Sequence, residues 1–179
     1  MGARPSAGQI PALIMPERSV RHRVCTLAFI IASWAQSPAA AQTATSEDSA
    51  VLAAVQHLFD AMEGRDTTAA LATFLPDARL VGLRTGARGT AVQTLTARQF
   101  VEFLGRDQRG TWKERAFNPE VRVSGTLATV WAEYDFHQGG KFSHCGVDAV
   151  QLLKLPDGGW KIASIADTFT REGCPDRAK

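Results

Sequence analysis

Three runs rich in apolar, β-branched and aromatic residues lie near the carboxyl end: Thr129 to Phe136, Lys141 to Lys154 and Trp160 to Phe169. Between them lie His137-Gln138-Gly139-Gly140 and Pro156-Asp157-Gly158-Gly159. β-rich runs of this kind, separated by glycine turns, predict an antiparallel meander. Upstream the spacing becomes helical. Val51, Val55, Leu58, Phe59 and Met62 recur on one stripe, predicting a helix over Thr45 to Glu63, with Thr45 and Asp48 placed as a capping box and Gly64 ending it. Asp66 is placed to cap a short helix, Thr67 to Leu75, stopped by Pro76. Ala78 to Arg84 and Ala91 to Leu95 read as strands joined through Thr85 to Gly89. Thr96 and Gln99 form a second capping box, opening a helix whose core stripe is Phe100, Phe103 and Leu104. Thr111 to Phe117 and Glu120 to Val123 read as one strand, bent or broken where Pro119 removes a ladder donor. Two helices, two strands, a helix and a long meander make an α+β layout, with helices on one face of a curved sheet.

The pairing register decides which side chains share a face. If Gln138 to Gly140 form the first connection, His137 lies opposite Lys141, Tyr134 opposite His144 and Val130 opposite Asp148. If Pro156 to Gly159 form the second, Leu155 lies opposite Trp160, Val150 opposite Ile165 and Asp148 opposite Asp167. One face then carries Val130, Ala132, Tyr134, Phe136, Phe142, His144, Asp148, Val150, Ile165, Asp167 and Phe169. It is apolar apart from Tyr134, His144, Asp148 and Asp167. The other face carries Trp131, Glu133, Asp135, Cys145, Trp160 and Ile162, suited to solvent, to a second subunit or to core beneath a helix. Two acids opposed on a buried face cannot both ionise cheaply, so Asp148 and Asp167, with His144 on the same face, are the candidate acid-base groups. Tyr134 is placed to donate to an oxyanion or a ligand carbonyl. Equally, the same residues could be a polar network closing one end of the fold, neutralised by Arg115 or Arg171.

At the amino end, Arg18, Arg21 and Arg23 precede the apolar run Val24 to Trp34, followed by Ala39-Ala40-Ala41. That order is the pattern of a secretory leader, 1–41, with cleavage near Ala41 and a periplasmic or secreted product. A linker, 42–48, a single domain, 49–174, and a tail, 175–179, follow. Removing 41 of 179 residues leaves 138, enough for one real core. It also removes four of 20 basic and one of 18 acidic residues, leaving 16 against 17. A near-neutral chain argues against nucleic acid as partner, and no further apolar segment suggests a membrane. Export gives meaning to Cys145 and Cys174, the two cysteines of the mature chain. Cys145 faces Thr170 in the register above, so a tail curling after Arg171 returns Cys174 to it as a disulfide. His144 and Cys145 point to opposite faces and no spaced ligand set accompanies them, so no metal site is expected. Nor does any phosphate-binding glycine loop or nucleophile elbow occur, and no cofactor is expected.

Glu114-Arg115, Val130 to Phe136, Ser143 to Asp148, Gly159 to Ile162, Ala166 to Thr168 and Gly173-Cys174, behind an early helical hairpin, carry a resemblance. With them the chain resembles the nuclear transport factor 2-like superfamily, and within it the exported bacterial proteins called SnoaL-like or lumazine-binding. The resemblance implies a cone-shaped, mixed but largely antiparallel sheet, helices packed over its concave face, a pocket in the cone, and a homodimer through the outer sheet. It leaves activity open, because ketosteroid isomerase, scytalone dehydratase and limonene epoxide hydrolase share the superfamily with noncatalytic binders. Three functions follow: a binder of a small hydrophobic or mixed-polarity ligand, a cofactor-independent acid-base enzyme in the same pocket, or a dimeric accessory module with a filled cone. The candidate catalytic residues are Asp148, Asp167 and His144, and the candidate ligand contacts Tyr134, Arg115, Phe136 and Trp131.

Overall fold

The computed structural model describes residues 39–86 and 89–175. Six strands form one mixed sheet: β1 (Phe74–Gly86), β2 (Gly89–Thr96), β3 (Trp112–Ser124), β4 (Leu127–Gln138), β5 (Lys141–Lys154) and β6 (Trp160–Asp167). Their order is β2-β1-β6-β5-β4-β3, with only the β1 and β6 pair parallel. Helices α1 (Ala39–Glu63), α2 (Thr67–Ala72) and α3 (Ala97–Arg106) pack against it. The α+β class expected from the pattern is the one observed, and the sheet curls under the helices. No helix among the described residues is long and apolar enough to cross a membrane.

The local signals explain most of the elements. Val51, Val55, Leu58, Phe59 and Met62 all lie buried along α1. Asp66 caps α2, its Oδ1 accepting from Ala69 N at 2.9 Å. Thr96 and Gln99 form the capping box of α3. Three boundaries differ. The expected leader, 1–41, lies outside the described residues except for Ala39 to Ala41, which open α1, so 42–48 is helical where a linker was expected and Thr45 sits inside the helix. Alanine-rich sequence propagates a helix once its packed stripe has nucleated it. α2 stops at Ala72, and β1 takes Phe74 and Pro76, because pairing of Phe74 with Ile162 outcompetes one more helical turn. On α3 it is Val101 and Leu104 that lie fully in the core, while Phe103 is 48 % exposed.

The meander reaches the expected faces by a different route. Gly139 and Gly140, at φ 57° and 77°, make a two-residue turn that pairs Gln138 with Lys141. Ser143 then bulges, so that Phe136 lies opposite His144, Tyr134 opposite Gly146 and Ala132 opposite Asp148. Each event moves the register by one residue. Together they move it by two, which preserves the face beyond the bulge. Phe142, before the bulge, is left against His137 on the outer face, contrary to expectation. The loop into β6 behaves alike: Lys154 pairs Trp160, Ala163 bulges, and Asp148 lies opposite Asp167 as expected. Trp160 and Ile162 precede that bulge and are buried in the core, a correction to their outer placement.

Cys145 and Cys174 form a disulfide with Cα atoms 5.9 Å apart, and Cys145 and Thr170 exchange backbone hydrogen bonds of 2.9 Å. The tail is thereby held against β5 at the edge of the concave face.

Candidate functional site

Side chains of alternate residues on five strands point into the cone. β1 supplies Leu80, Gly82 and Arg84, and pairing of Gly82 with Asp167 sets Arg84 close to β6. The Arg84 Nη2 donates to Asp167 Oδ2 at 2.5 Å. A Cβ on Gly82 would overlap both partners of that pair, so glycine is what lets the cation and carboxylate meet across β1. β5 supplies Asp148, only 6 % exposed, directly opposite Asp167. β3 supplies Glu114, whose carboxyl is enclosed by protein and hydrogen-bonded to Asp148.

These groups share one proton economy. Desolvation, then the negative charge of Asp148, pushes the Glu114 carboxyl far above the carboxylate range. Glu114 therefore holds its proton more tightly than Asp148 and donates to it. Desolvation raises Asp148 to about 6, against the lowering effect of the Glu114 hydrogen bond. Asp167 is raised by desolvation too, with Arg84 opposing. The result is a neutral acid, a carboxylate near the midpoint of its titration and an ion pair, side by side. Such an arrangement can accept or release a proton near neutral pH, or hold a ligand through its own donors.

Leu58, Phe59, Met62, Leu80, Phe100 and Ile165 wall a cavity of about 100 Å³ beside Glu114, Asp148 and Asp167. That is room for several water-sized groups. Arg84, Gln93, Leu95 and Phe100 also border a wider outer chamber of about 630 Å³. These four residues form the wall that the two spaces share. An aromatic chain follows the outer chamber: Phe74, Phe100, Trp112, Phe136, His144 and Phe169, with successive ring centroids 6.0, 5.8, 5.8, 4.8 and 4.1 Å apart.

The other residues singled out from the sequence divide among these surroundings. His144 lies in the outer chamber, stacked between Phe136 and Phe169, with Nδ1 3.1 Å from Ser143 Oγ. Burial, then Arg84 and Arg171, lowers it to about 4, so it is neutral at pH 7. Phe136 lies beside it in the same wall. Tyr134 is buried, and its hydroxyl donates to the Thr168 carbonyl at 2.7 Å. Gly146 makes that closure possible, since a Cβ there would overlap Thr168 O and the Tyr134 ring. Tyr134 thus positions the β6 end of the site, and burial raises its own titration.

Arg115 and Trp131 are not in the cone. Alternation puts Arg115 on the outer face, where it chelates Asp135 at 2.8 and 2.5 Å, and Trp131 stands there 56 % exposed. The pocket's cation is Arg84 instead. Arg84 and Glu114 were the residues sequence reasoning missed. The spacing of Leu80, Gly82 and Arg84 on β1 and of Trp112, Glu114 and Ala116 on β3 was a legible clue to each. Among the described residues, no three His, Cys, Asp or Glu side chains are arranged to hold a metal ion.

A curled mixed sheet with helices over its concave face and a polar-floored cavity beneath them defines the nuclear transport factor 2-like fold. The family described as "Putative lumazine-binding" matches residues 46–166, and the chain belongs to that family. No curated protein sequence matches it. Among solved structures, an NTF2-like protein of unknown function from Shewanella baltica OS155 is similar at 16 % identity and TM-score 0.57, covering 72 % of this chain and 97 % of its own. An NTF-2 like protein of unknown function from Silicibacter pomeroyi DSS-3 aligns at 22 % identity and TM-score 0.54, covering 70 % and 98 %. A ketosteroid isomerase-like protein from Erwinia carotovora atroseptica aligns at 20 % identity and TM-score 0.51, covering 72 % and 98 %. At these identities the likeness is one of fold.

Proposed function

We propose that this is an exported small-molecule-binding protein whose ligand enters the outer chamber and reaches the Glu114, Asp148 and Asp167 floor. The observation that carries this reading is the cavity beside three convergent carboxyl groups, bordered by apolar side chains and sharing a wall with a wider chamber. A small-molecule site combines an apolar wall with a few convergent polar groups in this way. Gly82 supplies the test, because it borders the inner cavity where any added side chain intrudes. Compounds that raise the melting temperature of the wild type are expected to lose that effect in Gly82→Val. Retention of every stabilising compound by a folded Gly82→Val protein would sink the pocket reading.

Export is part of the proposal. The disulfide is compatible with an oxidising compartment and the basic, apolar, small-residue order at the amino end supplies the address. Amino-terminal sequencing of protein from outside the cytoplasm is expected to start near Gln42. An intact leader there would refute cleavage.

A second reading, acid-base catalysis, is favoured by the pairing of protonated Glu114 with Asp148 raised to about 6. The ketosteroid isomerase-like neighbour belongs to the same fold and is in keeping with such chemistry. In this reading Asp148 takes a proton from the ligand and Asp167, held by Arg84, keeps the pocket's charge from collapsing onto one site. Turnover of a compound found in the binding screen would distinguish an enzyme from a binder.

A further inference from the structure

We infer that the outer chamber selects a planar aromatic anion, with its ring against the aromatic walls and its carboxylate or sulfonate turned outward to the arginines at the mouth. This rests on the pocket reading above and adds the ligand's chemical class and orientation. The wall is aromatic, with Phe100 and Phe103 from α3 beside Trp112, Phe136, His144 and Phe169 from the sheet and tail. Phe103 is half exposed there, an apolar ring left at the mouth without burial in the core. A flat ring covers such surfaces at little entropic cost and gains offset or edge contacts beyond its buried area.

Charge decides which ring. Arg84, Arg106, Arg109 and Arg171 all border the chamber, against the single carboxylate of Asp107. Arg109 and Trp112 satisfy Asp107 with bonds of 2.8 to 2.9 Å, and Gln138 with one of 2.6 Å. Arg84 is committed to Asp167, and Arg106 lies 3.6 Å from Glu102 at the exposed helix surface. Arg171 has no carboxylate partner among the described residues; its guanidinium lies 5.3 Å from the centre of the Phe169 ring. Phe169 in turn stacks on His144, which responds to the same positive field, because Arg84 and Arg171 both depress its protonation. The floor has the opposite sign, with Asp148 buried and Asp167 half-buried against Arg84. A cationic rim above an acidic floor orients a ligand: an anionic group is attracted at the mouth and repelled from the bottom.

Calorimetric titration of the full chain with 2-naphthoate, neutral 2-naphthol and cationic 2-naphthylmethylammonium tests this. At low ionic strength the anion is expected to bind about tenfold or more tightly than the alcohol and the cation least tightly, with the preference shrinking as salt rises. Arg171→Gln and Arg106→Gln are expected to reduce the preference for the anion about threefold or more each. Arg122→Gln, on the exposed outer face, controls for net charge and is expected to leave it unchanged. Equal affinity for naphthoate and naphthol, a preference untouched by both mouth variants, or no binding of any probe would overturn the inference. The failures separate: naphthol binding as tightly as naphthoate and lost in Gly82→Val leaves the pocket reading standing, whereas library hits insensitive to Gly82→Val defeat the pocket reading itself.

Discussion

Asp148→Asn is expected to weaken ligand binding, or turnover if there is any, by about tenfold to a hundredfold, the usual worth of one hydrogen bond to a charged group. The fold should persist. Asparagine keeps an oxygen that accepts from the protonated Glu114 and adds an amide that can donate toward Asp167, its strand partner. It also removes a desolvated charge, so stability at pH 8 should rise by on the order of 2 kcal/mol. The pH dependence gives the sign. The Asp148 pKa is about 6 in the folded protein and near the ordinary aspartate range when unfolded. Its contribution is therefore fully present below about pH 4 and is lost as pH rises through about 6. His144 runs the other way: lowered to about 4, it contributes stability above its ordinary pKa of roughly 6.5 that is lost as pH falls through about 4. In the wild type the two slopes oppose each other between pH 4 and 6.5. The asparagine variant should show the acid-side loss due to His144 more steeply. Urea denaturation from pH 4 to 8, run beside ligand titration, checks both halves. A variant that loses stability at pH 8 and binds ligand normally would show that the cluster is structural.

Removing the disulfide by Cys145→Ala with Cys174→Ala is expected to cost about 2 to 4 kcal/mol, since it closes a chain segment with a sequence separation of 29. The effect should reach the site. The tail carries the Thr168 carbonyl that accepts from Tyr134, the Thr168 hydroxyl that accepts from Val147 N, and Phe169, which stacks on His144. Loosening it should increase amide exchange from Gly146 to Thr170 and weaken the outer chamber's hold on any aromatic probe. Denaturation and hydrogen exchange of the double variant, with and without reductant on the wild type, measure this. Unchanged stability would mean that the tail is held by its hydrogen bonds alone.

Local spacing determined a good deal of this protein. The stripe from Val51 to Met62, the Asp66 cap and the Thr96 and Gln99 box predicted three helices, and β-rich runs between glycine turns predicted the meander, because these signals involve residues only a few positions apart. The opposition of Asp148 and Asp167 and the bond between Cys145 and Cys174 were legible for the same reason: short turns restrict the register of neighbouring strands. Where a bulge intervened, the inference survived only beyond it, where two one-residue shifts either added to two, as at Tyr134 and His144, or cancelled, as at Asp148 and Asp167. It failed on the near side of each bulge, at Phe142 and at Trp160 and Ile162.

Only the tertiary structure decided which charges meet. Arg84 reaches Asp167, 83 positions away in sequence, because β1 runs parallel to β6, and no local pattern encodes that crossover. Arg115, one residue from Glu114, turns to the outer face and pairs with Asp135, while Glu114 turns inward to Asp148. A one-residue difference in a pleated strand thus separates an ion pair on the outer face from a proton donor inside the cone. Local sequence determined the helices and the meander because those depend on near neighbours; the acid floor and the arginine-lined mouth depend on long-range pairing and on how far curling removes each group from water.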